Sequence, residues 1–372
     1  MKGKPAISPV YLTATYKFDS SDELIDVVQK HEGYIYSRWD NPSVVEFEQT
    51  LAALEGFDKA VGFASGMAAI TSAVFAHIQS GSRIVAMQEI YGATYELFND
   101  MLPKFNVDTV LINCSDSEQL MLEIEKGLDI LYLESPTNPL LRVVDIEPLV
   151  KAAHEKGAVV LMDSTFASPV NQTPKDFGVD VVIHSATKYL GGHHDIMGGI
   201  VCCNNPSFDK IWYQRKIMGG IMDPMSAFLA TRGLRTLSLR IKQHNESGMK
   251  IARFLEGHDK IKQTYYPGIE THPDHKIAQK YLRGFGGMLS FEINGNFDQT
   301  KAFMDNLKVI SLATSLGGVT SLANQPITNT HVGLSPENRK KAGVSESLVR
   351  LSVGIEDSNL LIEDLAQALT VV

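Results

Sequence analysis

The sequence predicts an α/β fold, with a mostly parallel central sheet followed by a smaller C-terminal α+β domain. Three observations predict it. From about residue 60 to 205, short apolar segments alternate with stretches of helical periodicity, the βαβα order of a doubly wound sheet. Those segments are apolar on both faces, as strands buried between helix layers are, rather than alternating apolar with polar. After Asn205 the pattern changes to long helix and then to mixed strands and helices.

The strands expected in the first region are Arg83–Met87, Thr109–Asn113, Asp129–Glu134, Ala158–Asp163, Val179–His184 and Gly199–Asn204. Helical periodicity fills Gly66–Gln79, Tyr91–Leu102 and Ile146–Lys156. Residues Met225 to about His258 read as one long helix, with Leu229, Leu234, Leu237 and Ile241 among its apolar positions. Strands at Gly287–Ile293 and Leu348–Val353 and a closing helix at Asn359–Leu369 complete the second domain. Residues 1–45 read as an N-terminal arm contacting a neighbouring subunit, 46–240 as the large domain and 241–372 as a C-terminal, substrate-side domain.

Composition narrows the function. A net charge of -9 without a Lys/Arg cluster argues against a nucleic-acid partner. No apolar run is long enough to span a bilayer, and the amino terminus lacks the apolar core of a signal peptide. Three cysteines, Cys114, Cys202 and Cys203, form no disulfide framework and no Cys-x-x-Cys, which suits a reducing cytoplasm. His193-His194-Asp195 has no third and fourth ligand at helical or strand spacing, so no metal is expected.

The chemistry centres on Lys188. It lies in Ser185-Ala186-Thr187-Lys188-Tyr189-Leu190-Gly191-Gly192, directly behind an apolar strand. Burial disfavours an ammonium ion and turns a lysine into a nucleophile or a Schiff-base former. The preceding strand ends in Asp163, so a lysine and an aspartate stand at the carboxyl ends of two successive strands, where open α/β sheets bind ligands. A cofactor that needs both a Schiff-base lysine and a carboxylate beside a protonated pyridine nitrogen is pyridoxal phosphate.

Other residues fit the same cofactor, each with an ordinary structural alternative. Ser65-Gly66 precedes a helix, where the serine is either a plain N-cap or part of a phosphate seat, with Ser185 and Thr187 as further hydroxyl donors. Tyr91 opens a helix and either caps the core or stacks on the pyridine ring and exchanges protons. Arg38 is either a surface arginine or a bidentate phosphate contact delivered by the arm of a second subunit. Asn138, in Glu134-Ser135-Pro136-Thr137-Asn138-Pro139, can bind the ring oxygen or a substrate carboxylate. Arg350, inside the apolar strand Leu348–Val353, must meet an anion: a structural carboxylate or the α-carboxylate of an amino-acid substrate.

These motifs, with Tyr36-Ser37-Arg38-x-x-Asn41-Pro42, Tyr91-Gly92-x-Thr94 and Ser315-Leu316-Gly317-Gly318-Val319, closely resemble the Cys/Met-metabolism family of pyridoxal-phosphate enzymes. That family includes cystathionine γ-synthases, cystathionine γ- and β-lyases, methionine γ-lyases and O-acetylhomoserine sulfhydrylases. The resemblance runs from about residue 5 to the end. It implies a fold-type I aminotransferase-like architecture, with Lys188 bonded to the cofactor, Asp163 as its pyridinium partner and Tyr91 stacked on the ring. Ser65, Gly66, Met67, Ser185 and Thr187 would hold the phosphate, joined by Tyr36 and Arg38 from a neighbouring subunit. Arg350, Asn138 and Ser315 would bind the substrate carboxylate, and the assembly would be a homotetramer, a dimer of dimers.

Within the family, Leu316 stands where β-lyases tend to carry tryptophan, and Ala93 where cysteine would favour methionine γ-lyase. Thr314 stands where many cystathionine-handling members have an acidic residue, Thr320 replaces a glutamate frequent in the family, and Ser164 replaces asparagine. The expectation is a γ-acting enzyme, of cystathionine γ-synthase or γ-lyase type, whose substrate is a homoserine ester, cystathionine or a related thioether. Methionine γ-lyase, direct sulfhydrylation and, behind them, β-lyase are the alternatives within the class. A non-catalytic pyridoxal-fold binding module is the alternative outside it.

Overall fold

The computed structural model describes residues 3, 5–30, 32–328 and 343–372. Strands β1 (Lys59–Phe63), β2 (Arg83–Met87), β3 (Asp108–Ile112), β4 (Ile130–Glu134), β5 (Val159–Asp163), β6 (Val181–Ser185) and β7 (Gly199–Cys203) form one seven-stranded sheet in the order β1-β7-β6-β5-β4-β2-β3. β7 pairs antiparallel with both β1 and β6, whereas β6, β5, β4, β2 and β3 pair parallel in turn. The expected mainly parallel sheet is therefore present. β4 and β7 are buried along their whole length, which is why they read as continuous apolar runs.

The second sheet contains β8 (Ile261–Tyr265), β9 (Met288–Ile293), β10 (Ser311–Leu312), β11 (Leu322–Asn324) and β12 (Leu348–Ser352), ordered β10-β11-β12-β9-β8. Its core is separate: Leu289, Phe291, Val349 and Leu351 pack with Phe303, Leu361 and Leu365. The helix Leu237–Glu256 links the two cores. Leu237 and Ile241 belong to the first, while Ile251, Ala252 and Leu255 belong to the second, so residue 241 lies inside a continuous helix.

The long helix expected from Met225 to His258 is two helices, Pro224–Leu234 and Leu237–Glu256. Just before the break the first helix makes a close crossing: a Cβ on Gly233 would lie 2.5 Å from the carbonyls of Leu190 and Gly191, so the helix meets the turn behind Lys188 without a side chain between them. The Arg240 guanidinium then donates to Gly233 O (2.8 Å), Tyr189 O (2.7 Å) and Leu190 O (3.4 Å). It thereby fastens the start of the second helix to the end of the first and to the turn behind Lys188.

The helix expected over Tyr91–Leu102 is also shorter. It is regular only over Gly92–Glu96, widens over Leu97–Met101 and closes in a tight turn at Leu102–Phe105. Pro103 has no N–H to continue the ladder. β1, β8, β10 and β11 were not expected as strands.

In the arm, Thr15 bridges Tyr36, and Asn41 N-caps the helix Pro42–Glu55. Arg215, 2% exposed, anchors the end of the arm by pairing with Asp40 at 2.8 Å and with Glu48 at 2.6 Å. Among the described residues no helix is long and apolar enough to cross a membrane.

Candidate active site

Adjacent parallel strands place their carboxyl ends side by side. β4, β5 and β6 end at Glu134, Asp163 and Ser185, and the chain leaves β6 through the turn that carries Lys188. This is the edge where ligands of open α/β sheets bind. Lys188 Nζ donates to Ser315 Oγ at 2.9 Å, which ties the large domain to the loop before β11. Burial, reinforced by the Arg350 charge and opposed by Asp163, brings the Lys188 amine down to about 8. An amine at that value is substantially neutral in mild alkali and able to attack a carbonyl carbon.

Asp163 is 7% exposed, and its Oδ1 accepts the Thr165 N–H at 2.9 Å. Burial raises its carboxyl, while Thr165, His184 and Lys188 favour the anion. A buried carboxylate with no ion pair among the described residues suits a protonated ring nitrogen.

Arg350, 3% exposed, projects from β12 between its register partners Asn324 and Ser290. Nη1 donates to Asn138 Oδ1 at 3.0 Å and Nη2 to Ser315 O at 3.1 Å, while Nε is buried with no partner among the described residues. No carboxylate of the described residues forms an ion pair with it. Burial brings the guanidinium down to about 10, and Tyr91 acts in the opposite direction. A buried guanidinium with one unpaired donor and no counter-ion is arranged for an incoming anion. Tyr91 itself is 46% exposed, and its main-chain N–H is fixed by Glu134 Oε2 at 2.8 Å.

At the end of β1, Ser65 caps the helix Gly66–Phe75 by accepting the Ala68 N–H at 3.1 Å. The side chain thus serves as the ordinary N-cap, and the N–H groups of Gly66 and Met67 head the helix as an anion seat. A Cβ on Gly66 would sit 3.0 Å from Ser185 Cβ, so this helix start and the end of β6 are in contact. Thr187 Oγ1 accepts the Gly198 N–H at 3.1 Å, and Thr94 Oγ1 donates to Met67 Sδ at 3.7 Å.

Lys188, Asp163, Ser185, Thr187, Ser65, Gly66 and Met67 therefore gather at one end of the sheet with Asn138 of the loop after β4, and Arg350 and Ser315 join them from the second domain. Tyr36 and Arg38 make other contacts: Arg38 Nη1 donates to Lys216 O at 2.5 Å, its guanidinium lies 5.5 Å from the Tyr36 ring, and Tyr36 is exposed. Three participants escaped the sequence. Thr165 holds Asp163 and also accepts the Ser185 N–H at 2.9 Å. Glu134 closes β4 as Asp163 closes β5, the same signal of a carboxylate ending an apolar strand. Arg240 had no local signal, because its partners are main-chain carbonyls.

Comparison with known proteins then decides the family. The model for Cys/Met metabolism PLP-dependent enzymes matches residues 2–370. The chain belongs to this family. It is a PLP-dependent enzyme of cysteine and methionine metabolism. It is 40% identical to cystathionine gamma-synthase 1, chloroplastic, of Nicotiana tabacum, over 97% of this chain and 67% of that protein. It is 39% identical to L-methionine gamma-lyase of Fusobacterium nucleatum subsp. nucleatum, over 97% of this chain and 92% of that protein. It superposes with a TM-score of 0.94 on cystathionine gamma synthase from Xanthomonas oryzae pv. oryzae in complex with cystathionine, at 37% identity and covering 98% and 93% of the two chains.

The residues present fit the family's cofactor. The free helix start against Ser185 suits a phosphate, the buried Asp163 a ring nitrogen and the lowered Lys188 amine an aldehyde carbon.

Proposed function

We propose that this chain catalyses γ-elimination or γ-replacement on sulfur amino acids or activated homoserine, in the manner of a cystathionine γ-synthase or γ-lyase. The observation that carries the reading is Arg350: a buried guanidinium with an open donor, held by Asn138 and by the carbonyl of Ser315, whose hydroxyl accepts from Lys188. It suits the α-carboxylate of an amino acid and directs the α-carbon toward Lys188.

Bound pyridoxal phosphate supplies an electron sink for the charge left on carbon when a proton departs. The chain's residues do the rest. Asp163 keeps the ring nitrogen protonated, and the Gly66 and Met67 N–H groups with Ser185 and Thr187 hold the phosphate. Arg350 and Asn138 orient the substrate, while the Lys188 amine, poised by Ser315, takes the proton from Cα and returns it where the product needs one. Tyr91, exposed at the open side of the site, is the acid that meets the leaving group on Cγ.

Leu316 is buried and aliphatic, Ala93 is half-buried and small, and Thr314 and Thr320 are exposed, so none of these positions carries the tryptophan, cysteine or acidic residue of the other family members. The tobacco synthase and the Fusobacterium lyase, at 40% and 39% identity, both act at Cγ by name. Assembly as a dimer of dimers belongs to the same proposal, with Tyr36 and Arg38 of one protomer reaching its partner's phosphate. The exposed apolar residues Tyr213, Ile217, Met218 and Met225 support a protein interface there.

The test is a substrate panel: cystathionine, O-succinyl- or O-acetylhomoserine with cysteine, and methionine, with thioether and keto acid products assayed. The proposal expects thioether from a homoserine ester or a four-carbon keto acid from cystathionine. Pyruvate as the sole keto acid, with no γ-replacement, would show Cβ chemistry and overturn it.

A further inference from the structure

Glu134 is 4% exposed and Asp163 7% exposed, and the two lie directly in register across the parallel pair β4–β5. In-register residues of neighbouring strands are about 5 Å apart at Cα and point to the same face. Two carboxylates so close in a buried site do not both ionise. What surrounds each decides which keeps the proton.

Asp163 has the Thr165 N–H on Oδ1, and the Thr165, His184 and Lys188 side chains favour its anion. His184 is itself bonded to Glu55 at 2.6 Å. The titratable groups acting on Glu134 are Asp163 and, from its own strand, the Tyr132 phenol, neither of them cationic. Its remaining partners are the main-chain N–H groups of Tyr91, at 2.8 Å, and of Asn138. Burial and the Asp163 charge push the Glu134 carboxyl well above the usual carboxylate range.

We propose that Glu134 is a neutral carboxylic acid that positions Tyr91 and the Asn138 loop, leaving Asp163 as the single anion at the ends of β4 and β5. One side chain then ties together the two sides of the substrate: the residue beside the leaving group and the residue that shares Arg350. Neutrality matters because a second anion beside Asp163 would have no cation of its own and would raise the cost of burying both. The inference rests on Asp163 as the ring-nitrogen partner.

The experiment uses holoenzyme and three readouts. The infrared difference between wild type and Glu134→Gln at neutral pH should show the C=O stretch of a protonated carboxyl. A carboxylate band in its place overturns the proposal. The pH midpoint of the bound cofactor's visible absorbance should stay within about 0.3 pH units in Glu134→Gln, because one neutral acceptor replaces another. A displacement of about one unit or more would mean a charge was removed, and would overturn it.

Glu134→Ala, which loses both N–H contacts, should raise the KM for the amino acid by about tenfold, and glutamine should recover most of that loss. Alanine behaving like wild type overturns the positioning role. If Glu134→Ala does not fold, the glutamine variant and the infrared band still decide. The infrared band reports the Glu134 proton whether or not Asp163 faces the ring. An error about Asp163 would appear separately, as Asp163→Asn retaining cofactor affinity and spectrum.

Discussion

Replacing Arg350 with leucine separates the two roles open to a buried arginine. In the structure it donates to Asn138 Oδ1 and Ser315 O, and burial lowers its guanidinium to about 10. A cation lowered in the folded state is a penalty on folding at every pH below that value. Here the lowering amounts to about 3 kcal/mol at roughly 1.4 kcal/mol per pH unit. Leucine removes this penalty and also removes two hydrogen bonds, each worth about 1 kcal/mol net. The two effects nearly cancel, so the substrate-free protein should melt within about 2 kcal/mol of wild type. A structural ion pair would behave differently, since deleting one partner leaves a buried charge and costs about 3–5 kcal/mol.

Substrate binding should change far more. Two charge-assisted bonds to a carboxylate are worth about 3–5 kcal/mol together, so kcat/KM should fall by about 10²–10⁴-fold. Thermal melts and steady-state kinetics on the same preparations test both halves. A variant that loses 3 kcal/mol or more of stability by the melt while keeping kcat/KM within about tenfold would refute the carboxylate role.

Further outcomes follow from the same geometry. With the Lys188 amine at about 8, lowered first by burial and then by Arg350, its neutral form is scarce below that pH and dominant above it. The rate at which cofactor-free protein captures pyridoxal phosphate should rise about tenfold between pH 7 and 9 and then level off. A rate still climbing beyond pH 10 would contradict it. Ser315 bears a φ of 77°, in the left-handed region, while its hydroxyl accepts from Lys188. Ser315→Gly and Ser315→Ala should both slow turnover, but the glycine variant should be the more stable by about 1 kcal/mol in thermal melts because only it relieves the backbone. Equal stability would mean that the φ carries no cost.

Much of this site was legible because buried parallel strands are conspicuous in sequence. The runs behind Glu134, Asp163 and Ser185 are apolar on both faces, so the residues ending them stand out as polar groups at a ligand-binding edge. β1 did not stand out: Lys59-Ala-Val-Gly-Phe63 is short and interrupted by glycine. β8, Ile261-Lys-Gln-Thr-Tyr265, is half polar because it edges a sheet. The break at Arg235–Thr236 was invisible for another reason. Helical periodicity continues through it, and the close approach of Gly233 to the Lys188 turn that accompanies it has no local signal. Arg350 could be identified as a buried charge, but its partners, Asn138 and the Ser315 carbonyl, lie 212 and 35 residues away along the chain.

The central claim is that Lys188 carries the cofactor. Reducing the holoenzyme with borohydride would fix the cofactor to whichever amine holds it, and peptide mass mapping would then find it. The predicted result is a pyridoxyl increment on the peptide containing Lys188 and none in a Lys188→Ala preparation. The increment on any other lysine, or its persistence in Lys188→Ala, would contradict the account.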